Sequence, residues 1–177
     1  EKCGVKYRGK IYYLLTDGTM QTGVVSMDNV YYYRGDSEAM ATGWVNMDNC
    51  WYYFDPKDGK CTVDLAREIN DSWYMFGKDG QMLTGWQPVD GAYYYFHTDG
   101  RMLIGWLSDG TNSYYMDPAN GRMSTGWKQI EGSYYYFNNS GHKLTGWIQV
   151  DGTYYYLNPS DKGRMAAHTT VKIAGIS

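Results

Sequence analysis

No run in this 177-residue sequence approaches the roughly 18 consecutive apolar residues that a membrane-spanning helix needs, so no such span is expected. Cysteine is scarce and odd in number, three in all, which argues against a disulfide framework. Cys50 and Cys61 are a conceivable pair, although a small filler at Cys50 is the simpler reading. Proline is rare, with four residues, and no Pro- or Ser-rich linker divides the chain. Excess positive charge is absent too: 16 Lys and Arg against 19 Asp and Glu leave a net charge of −3, no footprint for nucleic acid or anionic lipid. Phenylalanine, the usual aromatic of a dry core, appears four times against 20 Tyr and 7 Trp. Rings of that kind, with an apolar body and a polar tip, suit half-wet positions. No charged-then-apolar leader opens the sequence given, so a secretion signal is expected to have been removed or to lie outside it.

Catalytic signatures are missing as well. There is no G-x-S-x-G, H-E-x-x-H or phosphate loop, and no nucleophile–base constellation. His97, His142 and His168 sit in separate connectors with no metal-ligand spacing and read as solvated loop residues. No metal and no cofactor is expected, and the chain alone is not expected to be an enzyme. Any catalysis would belong to a domain outside these residues.

The sequence does have a repeat, and it overrides the single-domain prior. The glycine of T-G-W recurs at Gly23, Gly43, Gly85, Gly105, Gly126 and Gly146, with degenerate copies at Asp64 and His168. The intervals are 20 to 22 residues. One array over 1–177 is expected: a partial N-terminal copy holding Ile11–Leu14, units beginning near 22, 42, 63, 84, 104, 125 and 145, and a C-terminal cap over 164–177. Within a unit, Asp90-Gly91 separates two runs rich in Tyr, Trp and Val, the strongest short-range signal for a two-residue hairpin turn. Asp28-Asn29, Asp48-Asn49, Glu131-Gly132 and Asp151-Gly152 are equivalent turns. A second glycine (Gly80, Gly100, Gly121, Gly141) marks the bend into the next unit. No helical period is present. An isolated hairpin is marginal in water, so the hairpins must stack. The expected fold is all-β, a β-solenoid of stacked β-hairpin repeats of about 20 residues.

Hairpin geometry assigns faces. With the Trp of T-G-W as position 0 and the turn at positions 4 and 5, positions 0, 7 and 9 share one face and 1, 3, 8 and 10 the other. Positions 3 and 10 read as core. Trp and Tyr at matched sites, where Leu or Phe would pack without polar atoms, place positions 0 and 7 in grooves between units.

The motif T-G-W-x(5–6)-[W/Y]-Y-Y-[F/L]-x(n)-G-x-M resembles the choline-binding, cell-wall-binding repeats of Gram-positive surface proteins, autolysins and phage endolysins, over essentially the whole chain. The tail from Met165 to Val171 resembles the end of pneumococcal-type modules of that family. The resemblance implies choline held between successive hairpins by three aromatics and an apolar residue, often Met. A quaternary ammonium has no hydrogen-bond donors, so π faces and an apolar wall are what can recognise it.

Carried over residue by residue, the resemblance implies a complete cage from Trp86, Tyr93, Met102 and either Tyr114 or Tyr115. Trp44 and Trp51, with Trp73 downstream, form a second, in which Cys61 holds the Met place. Trp127, Tyr134 and Tyr154 form a third, in which Lys143 holds that place and opposes a cationic ligand. The groove at Trp106 has lost a wall at Ser113 and leans on Met123 and Tyr134. Trp147 and Tyr154 lack a downstream hairpin, with Met165 closing one side. Val24 and Leu65 replace the Trp, so their grooves are expected to be structural. Two to four working sites are expected.

The implied role is a secreted module attached to the bacterial cell surface through choline or phosphocholine on teichoic acids. The T-G-W-x-x-[I/V]-D-G-x-x-Y-Y-F framework also resembles the glucan-binding repeats of glucosyltransferases and the repeats of clostridial toxins, whose ligand is a glycan. A structural stalk without a ligand is the third reading. The aromatic at position 7 (Tyr31, Trp51, Trp73, Tyr93, Tyr134, Tyr154) separates the first from the second.

Overall fold

A computed structural model of the chain describes residues 3–7, 10–14, 23–27, 30–34 and 40–166. The expected turn at Asp28-Asn29, the copy at His168 and the rest of the cap beyond Ala166 lie outside the described residues.

Among the described residues, sixteen strands pair as eight antiparallel hairpins. They are β1 (Cys3–Tyr7) with β2 (Lys10–Leu14), β3 (Gly23–Met27) with β4 (Val30–Arg34), β5 (Gly43–Met47) with β6 (Cys50–Phe54), and β7 (Leu65–Ile69) with β8 (Ser72–Phe76). Then follow β9 (Gly85–Val89) with β10 (Ala92–Phe96), β11 (Gly105–Ser108) with β12 (Ser113–Met116), β13 (Gly126–Ile130) with β14 (Ser133–Phe137), and β15 (Gly146–Val150) with β16 (Thr153–Asn158). A short β17 (Arg164–Met165) adds to β16 after a 3₁₀ turn at Pro159–Asp161. The partial copy at the start thus contains a full hairpin, Cys3 opposite Leu14.

The turns follow from their residues. Asp48 and Asn49 have φ of 51° and 63°, and Asp90 and Gly91 have 47° and 75°. Positive φ at both central residues is the type I′ turn, whose twist matches that of the strands it joins. Asn70 and Asp71 make the same turn at 49° and 58° although neither is glycine. The β11–β12 hairpin instead closes through a longer loop, where the Asp109 N–H donates to the Asn112 carbonyl at 3.2 Å.

The chain forms two compact units. One contains the residues up to Gly85 with Phe96–Met102, and the other Trp86–Tyr95 with Leu103 onward. In each, position 10 builds a buried column. In the first unit it is Arg34, Phe54, Phe76 and Phe96, and in the second Met116, Phe137 and Leu157; all are at most 3% exposed. Around them pack Tyr53 and Ile69 in the first unit, and Tyr115, Ile130 and Tyr135 in the second.

Stacking within each unit is held by the connectors. The Met82 N–H donates to the Trp51 carbonyl at 2.7 Å, Met102 to Trp73 at 2.8 Å, and Met123 to Tyr93 at 2.8 Å. The second glycine of three connectors, Gly80, Gly100 and Gly141, meets a sulfur-bearing side chain of the connector before it, Cys61, Met82 and Met123. A Cβ on Gly141 would lie 2.3 Å from Met123 Sδ, and one on Gly100 2.1 Å from Met82 Sδ.

The structure corrects one register. Leu65 pairs with Phe76 and Ala66 with Met75, whereas Gly43 pairs with Phe54 and Trp44 with Tyr53. Ala66, not Leu65, therefore takes the Trp place of that unit. Phe76 is fixed in the buried column, and the extra residue is absorbed at Asp64. There φ is 51°, and the N–H donates to the Gly77 carbonyl at 2.9 Å.

Candidate ligand grooves

The pairing of position 0 with position 9 puts those rings side by side on one face: Trp44 with Tyr53 at 5.2 Å, Trp86 with Tyr95 at 5.3 Å, Trp127 with Tyr136 at 5.1 Å. The same Trp meets position 8 of the following hairpin. Trp44–Tyr74 is 4.8 Å, Trp86–Tyr114 4.9 Å and Trp127–Tyr155 4.8 Å, all edge-to-face. Edge-to-face contact is a favoured aromatic geometry.

Position 7 forms the outer wall. Trp51, Tyr93 and Tyr134 are 45%, 50% and 44% exposed, too open to be core. Trp51 stands at 87° to Trp44, with centroids 6.4 Å apart. The fourth wall is the apolar residue whose backbone is tied to position 7. Met82 packs with Trp44 and Tyr74 in one cluster, and Met123 is bonded to Tyr93. In the last hairpins β17, which carries Met165, lies against β14, which carries Tyr134.

Three grooves thus bring a Trp against the position-8 Tyr of the next hairpin (Trp44 with Tyr74, Trp86 with Tyr114, Trp127 with Tyr155), with the position-7 ring (Trp51, Tyr93, Tyr134) on the same hairpin face as the Trp and a methionine on the segment beside that ring (Met82, Met123, Met165). Several assignments differ from the sequence-based ones for a single reason. The ring supplied by the next hairpin is its position 8, and the apolar wall comes from the next hairpin's connector. Tyr74 therefore stands where Trp73 was expected, and Tyr155 where Tyr154 was. Of the alternatives Tyr114 and Tyr115, Tyr114 faces Trp86, while Tyr115 lies beside Trp106 at 5.0 Å. Met102 is tied to Trp73, and Cys61, through its N–H to the Tyr31 carbonyl at 2.8 Å, belongs to the groove behind Val24. Cys50 and Cys61 are both free thiols, and burial pushes the Cys61 thiol up to about 11, so it stays protonated at neutral pH.

Lys143 is also relocated. Its N–H is bonded to the Ser113 carbonyl at 2.8 Å and its Nζ stands 5.2 Å from the Trp106 ring centre, so it occupies the Trp106 groove rather than that of Trp127. Tyr135, not Tyr134, faces Trp106, at 5.2 Å. Trp147 meets Tyr156 of its own hairpin and is 53% exposed; Tyr154 is 67% exposed.

Tyr114 is held by a carboxylate. Its hydroxyl donates to Asp109 Oδ2 at 2.8 Å, and Asp109 also accepts the N–H groups of Asn112 and Thr111 at 2.7 and 2.8 Å. Those backbone bonds, then the Tyr114 hydroxyl, hold the Asp109 carboxyl far below the usual carboxylate range. Asp55 is lowered by Arg67 and Asp117 by Lys128. A depressed carboxyl stabilises fully above its unfolded value, near pH 4, and that stability is lost as pH falls through the folded value. Thermal melts followed by circular dichroism should therefore change little from neutral pH to about pH 4 and decline below it. A steeper loss between pH 7 and 5 would contradict the assignment. No group of three His, Cys, Asp or Glu side chains suited to a metal converges among the described residues.

Hairpins stacked within each unit, with ring-lined grooves shared between neighbours, define a repeat module suited to ligand contact. The choline-binding repeat profile matches residues 83–125 and 124–169, and the cell wall binding repeat profile matches 5–20 and 42–60. CbpJ from Streptococcus pneumoniae TIGR4 is similar in structure, with 30% identity and a TM-score of 0.81 over 97% of this chain and 66% of that one. Choline binding protein F from Streptococcus pneumoniae, solved with a peptidoglycan analogue, shares 36% identity and a TM-score of 0.76 over 92% of this chain and 57% of that one. Among curated proteins, glucosyltransferase-S of Streptococcus mutans serotype c is 28% identical over 99 residues, 55% of this chain and 7% of that protein. The chain belongs to the choline-binding, cell-wall-binding repeat family. It spans no more than about two thirds of the length of these relatives.

Proposed function

We propose that this chain is a non-catalytic module that attaches a secreted protein to the bacterial cell surface by taking choline groups of wall teichoic acids into the three complete grooves. The observation that carries this reading is the recurrence of one set of walls: a Trp, a half-exposed Trp or Tyr, the position-8 Tyr of the next hairpin, and a Met. No cation projects into these grooves from their four wall residues. Rings facing a quaternary ammonium each contribute about 0.5–2 kcal/mol, so a single groove is weak and several on one polymer chain gain by linkage. Family membership and the name of choline binding protein F support choline as the ligand.

Choline titration followed by tryptophan fluorescence and by thermal melting tests the reading directly. A ligand at 100 times its Kd stabilises the folded state by about 2.7 kcal/mol per site, so the melting temperature should climb with choline concentration. Flat melting and fluorescence curves at high millimolar choline would overturn it. Glucosyltransferase-S is the observation that favours a glycan as the second reading. A defined oligosaccharide that shifts the melt while choline does not would establish that alternative.

A further inference from the structure

The Trp106 groove departs from the other three at two walls, and both changes point the same way. Ser113 stands where they carry a ring, and Lys143 where they carry methionine. The result is an open cleft of about 400 Å³ with Trp106, Ser108, Ser113, Lys143, Lys162 and Arg164 among its lining residues. Lys143 Nζ lies over the Trp106 ring at 5.2 Å, so the place a ligand cation would take is filled by the chain's own ammonium.

The charges around that ammonium do not cancel. Neither Lys143 nor Lys162 forms an ion pair among the described residues, whose pairs run from Lys60–Asp58 to Arg164–Asp161. Arg164 is anchored by its Nε bond to the Tyr135 hydroxyl at 3.1 Å and by Asp161 at 3.7 Å. The acidic lining residue is Glu131, which is exposed. Desolvation, then the charge of Lys162, lowers the Lys143 pKa, the response of an ammonium that meets a like charge in place of a carboxylate.

We infer that the Trp106 cleft is an anion site that takes a phosphoryl group, free or esterified, between Lys143, Lys162 and Arg164, with the Ser108 and Ser113 hydroxyls as further donors. Ammonium and guanidinium groups bind phosphate oxygens by charge-assisted hydrogen bonds. Donors arriving from β11, β12, the β14–β15 connector and the segment before β17 surround a tetrahedral group with several oxygens better than a planar carboxylate with two. The site is independent of the cages and would hold whether or not they take choline.

The test uses the whole chain labelled with ¹⁵N, its Trp106 indole resonance assigned by Trp106→Phe. Inorganic phosphate and glycerol 3-phosphate should each shift that resonance saturably, while sodium chloride at equal ionic strength and sodium acetate should not. Tighter binding of glycerol 3-phosphate identifies an esterified phosphate as the natural group, and the reverse order identifies the free ion. Lys143→Met with Lys162→Asn should weaken the apparent affinity at least tenfold. Asn suits position 162, where φ is 55°, and an unchanged melt would show that the variant is folded. Choline should leave the Trp106 resonance in place in the native chain. A phosphate shift that matches sodium chloride, one that survives in the folded double variant, or a saturable choline shift at Trp106 would each overturn the inference.

Discussion

Replacing Trp86 with alanine should lower the number of choline molecules bound with native affinity from three to two, with the Trp44 and Trp127 grooves unaffected. Trp86 touches both its own hairpin at Tyr95 and the next at Tyr114, so its removal takes away a wall that no neighbour can supply. A desolvated Trp face toward a quaternary ammonium gives about 2 kcal/mol, which makes the truncated groove roughly 30-fold weaker. Linking several sites raises polymer affinity by about 10²–10⁴, and losing one site should lower retention on choline-bearing wall by about tenfold or more. Isothermal calorimetry gives the stoichiometry and a wall-sedimentation assay the retention. Trp106→Ala is the matched control and should leave the stoichiometry at three, because that groove already holds Lys143. A drop with Trp106→Ala, or none with Trp86→Ala, would show that the grooves have been misjudged.

Phe76→Ala should be the most destabilising single truncation in the first unit, at about 3–5 kcal/mol. Phe76 is 0% exposed, pairs with Leu65, bridges to Met82, and lies 5.7 Å from Trp44. The cavity left behind would border two walls of the Trp44 groove. Choline affinity at that groove should therefore fall together with stability, while binding at Trp127 stays unchanged. Urea unfolding with choline binding at each tryptophan separates the two effects. A loss below about 1 kcal/mol would show that the column closes over the gap.

Much of this architecture could be read in the sequence. Aspartate followed by glycine, flanked by aromatics, specifies a type I′ turn by its own backbone preferences, and the spacing of T-G-W specifies the stack. Position 10 was legible as core because only large apolar side chains recur there, save Arg34. Asn70-Asp71 escaped detection because it reverses the acidic-first order of the other turns, although both residues tolerate positive φ. The register at Leu65 was hidden because the extra residue lies in the connector. Spacing alone cannot say whether Asp64 or Leu65 takes the glycine's place; only the pairing with Phe76 decides it.

The grooves were half legible. Alternation along one hairpin assigns positions 0 and 7 to a common face, and that much needs no tertiary information. Which residue of the next hairpin completes the groove depends on which face it turns back. It turns the opposite face, so position 8 serves as packing for its own hairpin and as a wall for the one before. Tyr114 could be named from sequence as one of two alternatives, whereas Tyr74 and Tyr155 were displaced by one residue. The same offset moved Lys143 from one groove to another, and with it the location of the positive cleft.

Because each groove is assembled across a junction, the unit that carries ligand preference is not the repeat but the seam between two repeats. Duplicating or exchanging one repeat by recombination rewrites two seams at once. A point change in a connector rewrites only one. Of the two lysine codons, AAG differs from the methionine codon AUG by a single nucleotide, so a groove whose lysine is encoded that way stands one mutational step from a different wall. A gene built this way can alter what a single groove accepts while the neighbouring grooves keep their hold.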